Sequence, residues 1–268
     1  MSKIIFMGTG AAPGVPSLSK GWGNCNPDNP KNRRKRIGTY IEIGNQKLLI
    51  DTSPDLRMQL LENDIRYIDG VLYTHRHADH LHGIDDLREL NRIMEKPINI
   101  YGMPHTIDTI KERFSYLLTS ALCTKDKCMF KASLIAHQLS AEESLYLGNV
   151  KIDVLRLEKH NVPSNGYIFN DGEIVYVADC QKIFDADLNK IQKRPEVLIL
   201  PLTVFNPQYA PIFHMTLDKL LEYVNLIKPK KAIINHMASE CDYDELNNVT
   251  PQNVLISYDN MVCEYNKG

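Results

Sequence analysis

The sequence predicts an α/β (α+β) chain in which two strand-rich halves lay their sheets face to face with helices outside. Three observations carry this. Short apolar runs recur between turn signals, hairpin turns sit at Gly44-Asn45 and Asn170-Asp171-Gly172, and amphipathic helical spacing closes each half. At 268 residues the chain can bury a sizeable core, and one domain over residues 1–268 is expected.

Residues 3–7 read as a first strand that runs into Gly8-Thr9-Gly10-Ala11-Ala12-Pro13-Gly14-Val15-Pro16, whose glycines and prolines impose an irregular loop. A polar stretch follows to Arg36. Residues 39–43 and 47–50 form a hairpin whose second strand delivers Asp51, and residues 55–61 form a short helix. Val71-Leu72-Tyr73 is a buried strand, and Ile84, Leu87, Leu90 and Ile93 or Met94 recur at helical spacing. In the second half, residues 150–157 form a strand leading to His160. Residues 167–169 and 173–177 flank the second turn and lead to Asp179. Residues 195–200 are an unbroken apolar run, as expected of a strand covered on both faces. Leu217, Leu220, Leu221, Val224 and Ile227 mark a helix capped by Thr216 and stopped by Pro229, and residues 231–235 end in His236.

Composition narrows the function classes. Hydrophobic content of 43% and charged content of 24% are those of a soluble globular chain, and no apolar run approaches a membrane span. The apolar start is too short for a signal peptide, so a cytoplasmic protein is expected. A net charge of -2 gives no global attraction to nucleic acid. Lys31-Asn32-Arg33-Arg34-Lys35-Arg36 is nonetheless a local basic run, either a solvated loop or a phosphate contact. Cys25, Cys123, Cys128, Cys180, Cys241 and Cys263 contain no Cys-x-x-Cys pair, which argues against a disulfide framework or zinc ribbon, and most are expected to be reduced and buried.

The chemistry concentrates in Thr74-His75-Arg76-His77-Ala78-Asp79-His80. Three imidazoles and a carboxylate within six residues have no packing rationale, and they are the ligand types that hold zinc, manganese or iron. His160, Asp179 and His236 each follow a predicted strand and complete seven ligands. His75, His77 and His160 suit one ion, Asp79, His80 and His236 a second, and Asp179 can bridge ions about 3.5–4 Å apart. Asp51 is expected to accept a hydrogen bond from a ligand histidine. Strand alternation turns Cys180 away from Asp179, so it packs as a small apolar group. His82 is expected to hydrogen-bond locally, and His105 and His137 receive no role.

This motif, with His160, Asp179 and His236, resembles the metallo-β-lactamase-fold hydrolases over essentially the whole chain. The loop from Gly8 to Pro16, Asn32-Arg33-Arg34 and His80-Leu81-His82-Gly83-Ile84-Asp85-Asp86-Leu87-Arg88 resemble the phosphoribosyl 1,2-cyclic phosphate phosphodiesterases within that group. The resemblance implies an αββα sandwich of two mixed β-sheets and a dinuclear phosphodiesterase site with two divalent ions, zinc or manganese, iron also being allowed. Members of the subgroup often carry several cysteines after the Gly-Val-Pro loop that hold a structural zinc. Here Cys25 stands alone.

The implied reaction is hydrolysis of a small, preferably cyclic, phosphodiester by metal-bound hydroxide, whose pKa two cations lower toward about 7. Asp79 would ligate metal and orient the hydroxide, while His214, placed as in the related phosphodiesterases, would donate a proton to the leaving group. Arg33, Arg34 and Arg36 would bind substrate phosphate. The rival readings keep the metals but act on tRNA 3′ ends, for which the chain lacks a Gly-Pro-rich arm, or on a thioester or redox substrate. A degenerate binding module would be expected to show gaps in the ligand set. The expected partner is a small phosphodiester, with nucleic acid second, no membrane, and a homodimer allowed.

Overall fold

The computed structural model describes residues 2–118, 132–205 and 213–265, and Cys123 and Cys128 lie outside these. Strands β1 (Ser2–Gly8), β2 (Gly38–Ile43), β3 (Gln46–Ile50), β4 (Gly70–Leu72), β5 (Ile98–Gly102) and β6 (Leu134–Gln138) build a first sheet. A second contains β7 (Leu145–Leu147), β8 (Val150–Glu158), β9 (Asn165–Phe169), β10 (Ile174–Tyr176), β11 (Lys182–Ile183), β12 (Val197–Pro201), β13 (Lys231–Asn235) and β14 (Val254–Ile256). Strand β15 (Met261–Tyr265) returns to the first sheet and pairs antiparallel with β1.

Both sheets are mixed. The first runs β15-β1-β2-β3-β4-β5-β6 and is parallel from β3 onward. The second runs β11-β8-β9-β10-β12-β13-β14, with β7 beside β8, and is parallel from β10 onward. The helices are α1 (Leu56–Glu62), α2 (Ala78–Leu81), α3 (Leu87–Met94), α4 (Pro104–Arg113), α5 (Leu217–Ile227) and α6 (Tyr243–Val249).

Strand alternation sorts the apolar side chains into three layers. In β1, Ile4 and Phe6 enter the core between the sheets, where they join Tyr167, Phe169 and Ile233, whereas Ile5 and Met7 pack outward with Leu60 of α1 and Ile107 of α4. In β12, Val197 and Ile199 face the inter-sheet core, while Leu198 and Leu200 pack under Leu220 and Val224 of α5. The predicted αββα sandwich is therefore present, and the unbroken apolar run near residue 198 is covered on both faces.

Two local expectations change. The helical spacing from Ile84 to Met94 is a 3-10 turn, Ile84–Asp86, followed by α3, because the periodicity records the buried stripe of Ile84, Leu87 and Leu90 rather than one hydrogen-bond pattern. Helix α1 starts after Asp55, whose carboxylate makes no cap bond and instead accepts from Arg36 N, Nε and Nη2. In α5 the expected cap is present, with Thr216 Oγ1 accepting from Lys219 N at 3.3 Å.

Candidate metal centre

The candidate ligands collect where strands end. Asp51 follows β3, the stretch from His75 to His80 follows β4 and enters α2, His160 follows β8, Asp179 follows β10, and His236 follows β13. β3, β4, β10 and β13 belong to the parallel parts of the two sheets, whose carboxyl ends are where sheets of this kind place ligands, whereas β8 pairs antiparallel. Asp51 and His236 hold left-handed φ values of +64° and +60°. Such a backbone persists only when its neighbours fix it. Met237 N donates to Thr9 O at 2.9 Å and Ala11 N donates to Met237 O at 3.1 Å, which ties the turn after β1 to the residue beside His236.

All seven predicted ligands come together. His77 Nδ1 lies 3.0 Å from His75 Nε2 and 3.1 Å from His160 Nε2. On the other side, Asp79 Oδ2 lies 3.4 Å from both His80 Nε2 and His236 Nε2. Asp179 Oδ2 lies 3.1 Å from His236 Nε2 and 3.8 Å from His80 Nε2, and a carboxylate oxygen of Asp179 is within 4.8 Å of a His75 ring nitrogen. Three overlapping trios keep their donor atoms within 4.8 Å of one another: His75, His77, His160; His75, His80, Asp179; and Asp79, His80, His236.

The donor chemistry fits cations. His80 Nε2 and Asp179 Oδ1 are buried without a hydrogen-bond partner, a costly state unless a ligand meets them. The Nδ1 atoms of His80, His75 and His160 are held from behind. His80 Nδ1 lies 2.7 Å from Asp51 Oδ2, and Thr74 Oγ1 donates to that same oxygen at 2.8 Å. His75 Nδ1 is 3.0 Å from Thr74 Oγ1, and His160 Nδ1 is 3.3 Å from the Phe213 carbonyl. Outer partners of this kind fix ring orientation for metal binding. Zinc, manganese and iron all suit this set of imidazole and carboxylate.

Electrostatics agree with the geometry. Burial lowers His75 far below the usual imidazole range and lowers His77 and His160 as well, so these rings stay neutral, the form that ligates. Burial would raise the carboxyls of Asp79 and Asp179, but His80 and His236 outweigh it and hold both well below the carboxylate range. At His80 burial opposes charge, yet Asp79 and Asp51 prevail and raise it. A cation held by the same carboxylates would take the place of that proton on His80, since a ligating imidazole must be neutral.

A cleft of about 680 Å³ opens over this cluster, with His77, Asp79, His160, Asp179, His214 and His236 in its lining. Burial lowers the half-buried His214 to about 4, so it is neutral near pH 7. Its Nδ1 is 3.0 Å from Thr203 Oγ1, which is also 3.1 Å from His236 Nδ1. Sequence reasoning missed Thr203, since a single threonine after a strand has no signature. It also missed Lys20, which lines the cleft and pairs with Glu240 there.

The basic run needs correction. Arg34 is 2% exposed, and its guanidinium donates to Ala238 O and Asn32 Oδ1. Arg36 forms a two-pronged ion pair with Asp55. Arg33 lies over Trp22, 5.0 Å from the ring centroid. None of the three lines the cleft, because opposite charges and carbonyls elsewhere in the fold had already claimed Arg34 and Arg36. Cys180 is fully buried among Leu198, Leu200 and Tyr223, on the side away from the ligands. Cys25, Cys241 and Cys263 are likewise buried and unpaired.

The family profile described as Beta-lactamase superfamily domain matches residues 46–237. An octanoyltransferase of Porphyromonas gingivalis is 27% identical over 182 residues, covering 68% of this chain and 35% of that protein. A ribonuclease Z of a Bradyrhizobium species is 31% identical over 114 residues, covering 41% of this chain and 33% of its own length. The chain thus spans about a third of the length of these curated relatives. Among solved structures, a diphosphatase from the PhnP family superposes with a TM-score of 0.85 at 26% identity, covering 98% of this chain and 97% of that one.

Proposed function

The chain belongs to the beta-lactamase superfamily and has the metallo-β-lactamase fold, and on that premise we propose that it is a dinuclear metal-dependent phosphodiesterase. Its substrate is a small and preferably cyclic phosphodiester, with phosphoribosyl 1,2-cyclic phosphate the first compound to try. One observation carries the reading: seven nitrogen and oxygen donors in three trios that overlap through His75 and His80, with Asp179 in the middle trio, at the floor of an open cleft. The likeness to a PhnP-family diphosphatase supports phosphorus as the reacting centre.

Divalent cations bound there would polarise a phosphoryl oxygen and make water a nucleophile near neutral pH. Asp79, 3.4 Å from both His80 and His236, would orient that nucleophile as well as ligate. His214 faces the cleft with Nδ1 engaged by Thr203, so Nε2 is the atom left to serve the leaving oxygen. A neutral ring acts there as a hydrogen-bond donor rather than as a free imidazolium. Among the described residues, Lys20 is the cation that lines the cleft, and it would have to exchange its partner Glu240 for a second anionic group of the substrate.

The test is elemental analysis of purified protein beside assays on cyclic nucleotides, phosphoribosyl cyclic phosphate, bis-aryl phosphate and precursor tRNA. Two metal equivalents and turnover of the cyclic diesters are expected. The ribonuclease Z likeness keeps precursor tRNA in the panel, and cleavage of it alone would overturn the small-diester reading. No helix among the described residues is long and apolar enough to cross a membrane.

A further inference from the structure

Thr203 lies just beyond β12 with its hydroxyl between two imidazoles, 3.0 Å from His214 Nδ1 and 3.1 Å from His236 Nδ1. A hydroxyl carries one proton. It can donate to only one of these nitrogens and must accept from the other, so the two rings cannot choose their tautomers independently.

The far nitrogen of His236 sets the direction. His236 Nε2 is turned toward the carboxylates, 3.1 Å from Asp179 Oδ2 and 3.4 Å from Asp79 Oδ2. When that nitrogen offers its lone pair to a cation, the ring proton of His236 must sit on Nδ1 and donate to Thr203 Oγ1. The Thr203 proton then points to His214 Nδ1. This leaves the ring proton of His214 on Nε2, in a ring that lines the cleft.

We infer that Thr203 is a positioning residue that transmits metal ligation at His236 into the tautomer of His214, so that His214 presents an Nε2–H to the leaving oxygen. The use of that N–H rests on the phosphodiesterase reading; the way its position is fixed does not. Thr203 is well placed for the task. It is 9% exposed, its carbonyl accepts from Ala238 N at 3.1 Å, and Leu202 N donates to Asn235 O at 2.9 Å. The hydroxyl therefore hangs from the sheet end that carries His236, and a β-branched side chain has few rotamers in which to stray.

Zinc-loaded protein labelled with 15N in its histidine rings gives the direct test, because long-range 15N–1H correlations distinguish Nδ1–H from Nε2–H for each ring. The expected wild-type state is His236 Nδ1–H with His214 Nε2–H. Thr203→Ser keeps it, while Thr203→Val, close in volume but without a hydroxyl, shifts His214 toward Nδ1–H at unchanged zinc content. On a diester with an alkyl leaving group, Thr203→Val lowers kcat roughly tenfold or more, the nitrophenyl ester changes within about twofold, and Thr203→Ser restores the rate. A wild-type His214 in the Nδ1–H form, or the same Nε2–H fraction in Thr203→Val, overturns the inference. If the tautomers behave as expected while neither Thr203→Val nor His214→Ala slows alkyl-ester cleavage, the coupling stands and the phosphodiesterase reading fails.

Discussion

The two ligand groups at the floor of the cleft use similar side chains in different surroundings. His75, His77 and His160 are neutral nitrogen donors, and His77 and His160 are only half-buried. Asp79, His80 and His236 are all buried, include a carboxylate, and lean on stronger outer partners, with Asp51 behind His80 and Thr203 behind His236. Charge and burial together would make the second group the firmer holder of a cation. Both groups reach the cleft, the first through His77 and His160 and the second through Asp79 and His236. A pair of nearly equal donor counts would therefore divide into a tighter position and a looser one.

Asp179→Ala should erase this contrast most completely, because Asp179 lies within 4.8 Å of His75 in the first group and of His80 in the second and would serve both positions. Bound metal is expected to fall below one equivalent and turnover by about 10³-fold or more. Full metal content with full turnover would remove Asp179 from the centre. His160→Ala and His236→Ala sharpen the contrast when compared under chelator titration. His160→Ala should lose the readily removed ion and keep the other, whereas His236→Ala should lose the tightly held one. A single release step in the unmodified protein would mean that the groups do not differ. Asp51→Asn should weaken the second position by about 10–100-fold while leaving the first nearly unchanged, read by competition with a chelator of known affinity.

The smallest effect concerns pH in metal-free protein, where the groups pull in opposite directions. His160 is lowered from 6.5 by burial and His214 is lowered to about 4, so between pH 6.5 and 4 the unfolded chain binds protons that these folded rings refuse. Stability contributed by their neutrality is thus lost as pH falls through that window. His80, raised by Asp79 and Asp51, contributes stability that is fully present below pH 6.5 and is lost as pH rises through its elevated pKa. His214→Gln should flatten the acid limb by about 1 kcal/mol, after allowing for solvent screening. An unchanged limb in a denaturant titration series would show that His214 already titrates normally.

Much of the site was legible because each ligand followed a strand whose apolar pattern is local. The motif from His75 to His80 needed only its spacing, and His160, Asp179 and His236 needed only the rule that strand ends carry chemistry. Asp51 was readable for the same reason, and it does meet His80 at 2.7 Å. Long-range partners were not legible. The pairing of β15 with β1 and the presence of β5, β6 and α4 depend on contacts that no local period records. The basic run misled because charge was counted without knowing that Asp55 and the Ala238 carbonyl would lie opposite Arg36 and Arg34. Thr203 became visible only when two strand ends brought His214 and His236 to the same hydroxyl.

The backbone link from Thr9 and Ala11 to Met237 has a consequence for how the cleft is completed. It works as a clasp between the first turn of the chain and its last donor, while none of these bonds involves the cluster near residue 77. An insertion between Gly8 and Ala12, far in sequence from every ligand, should leave that cluster intact and set His236 adrift.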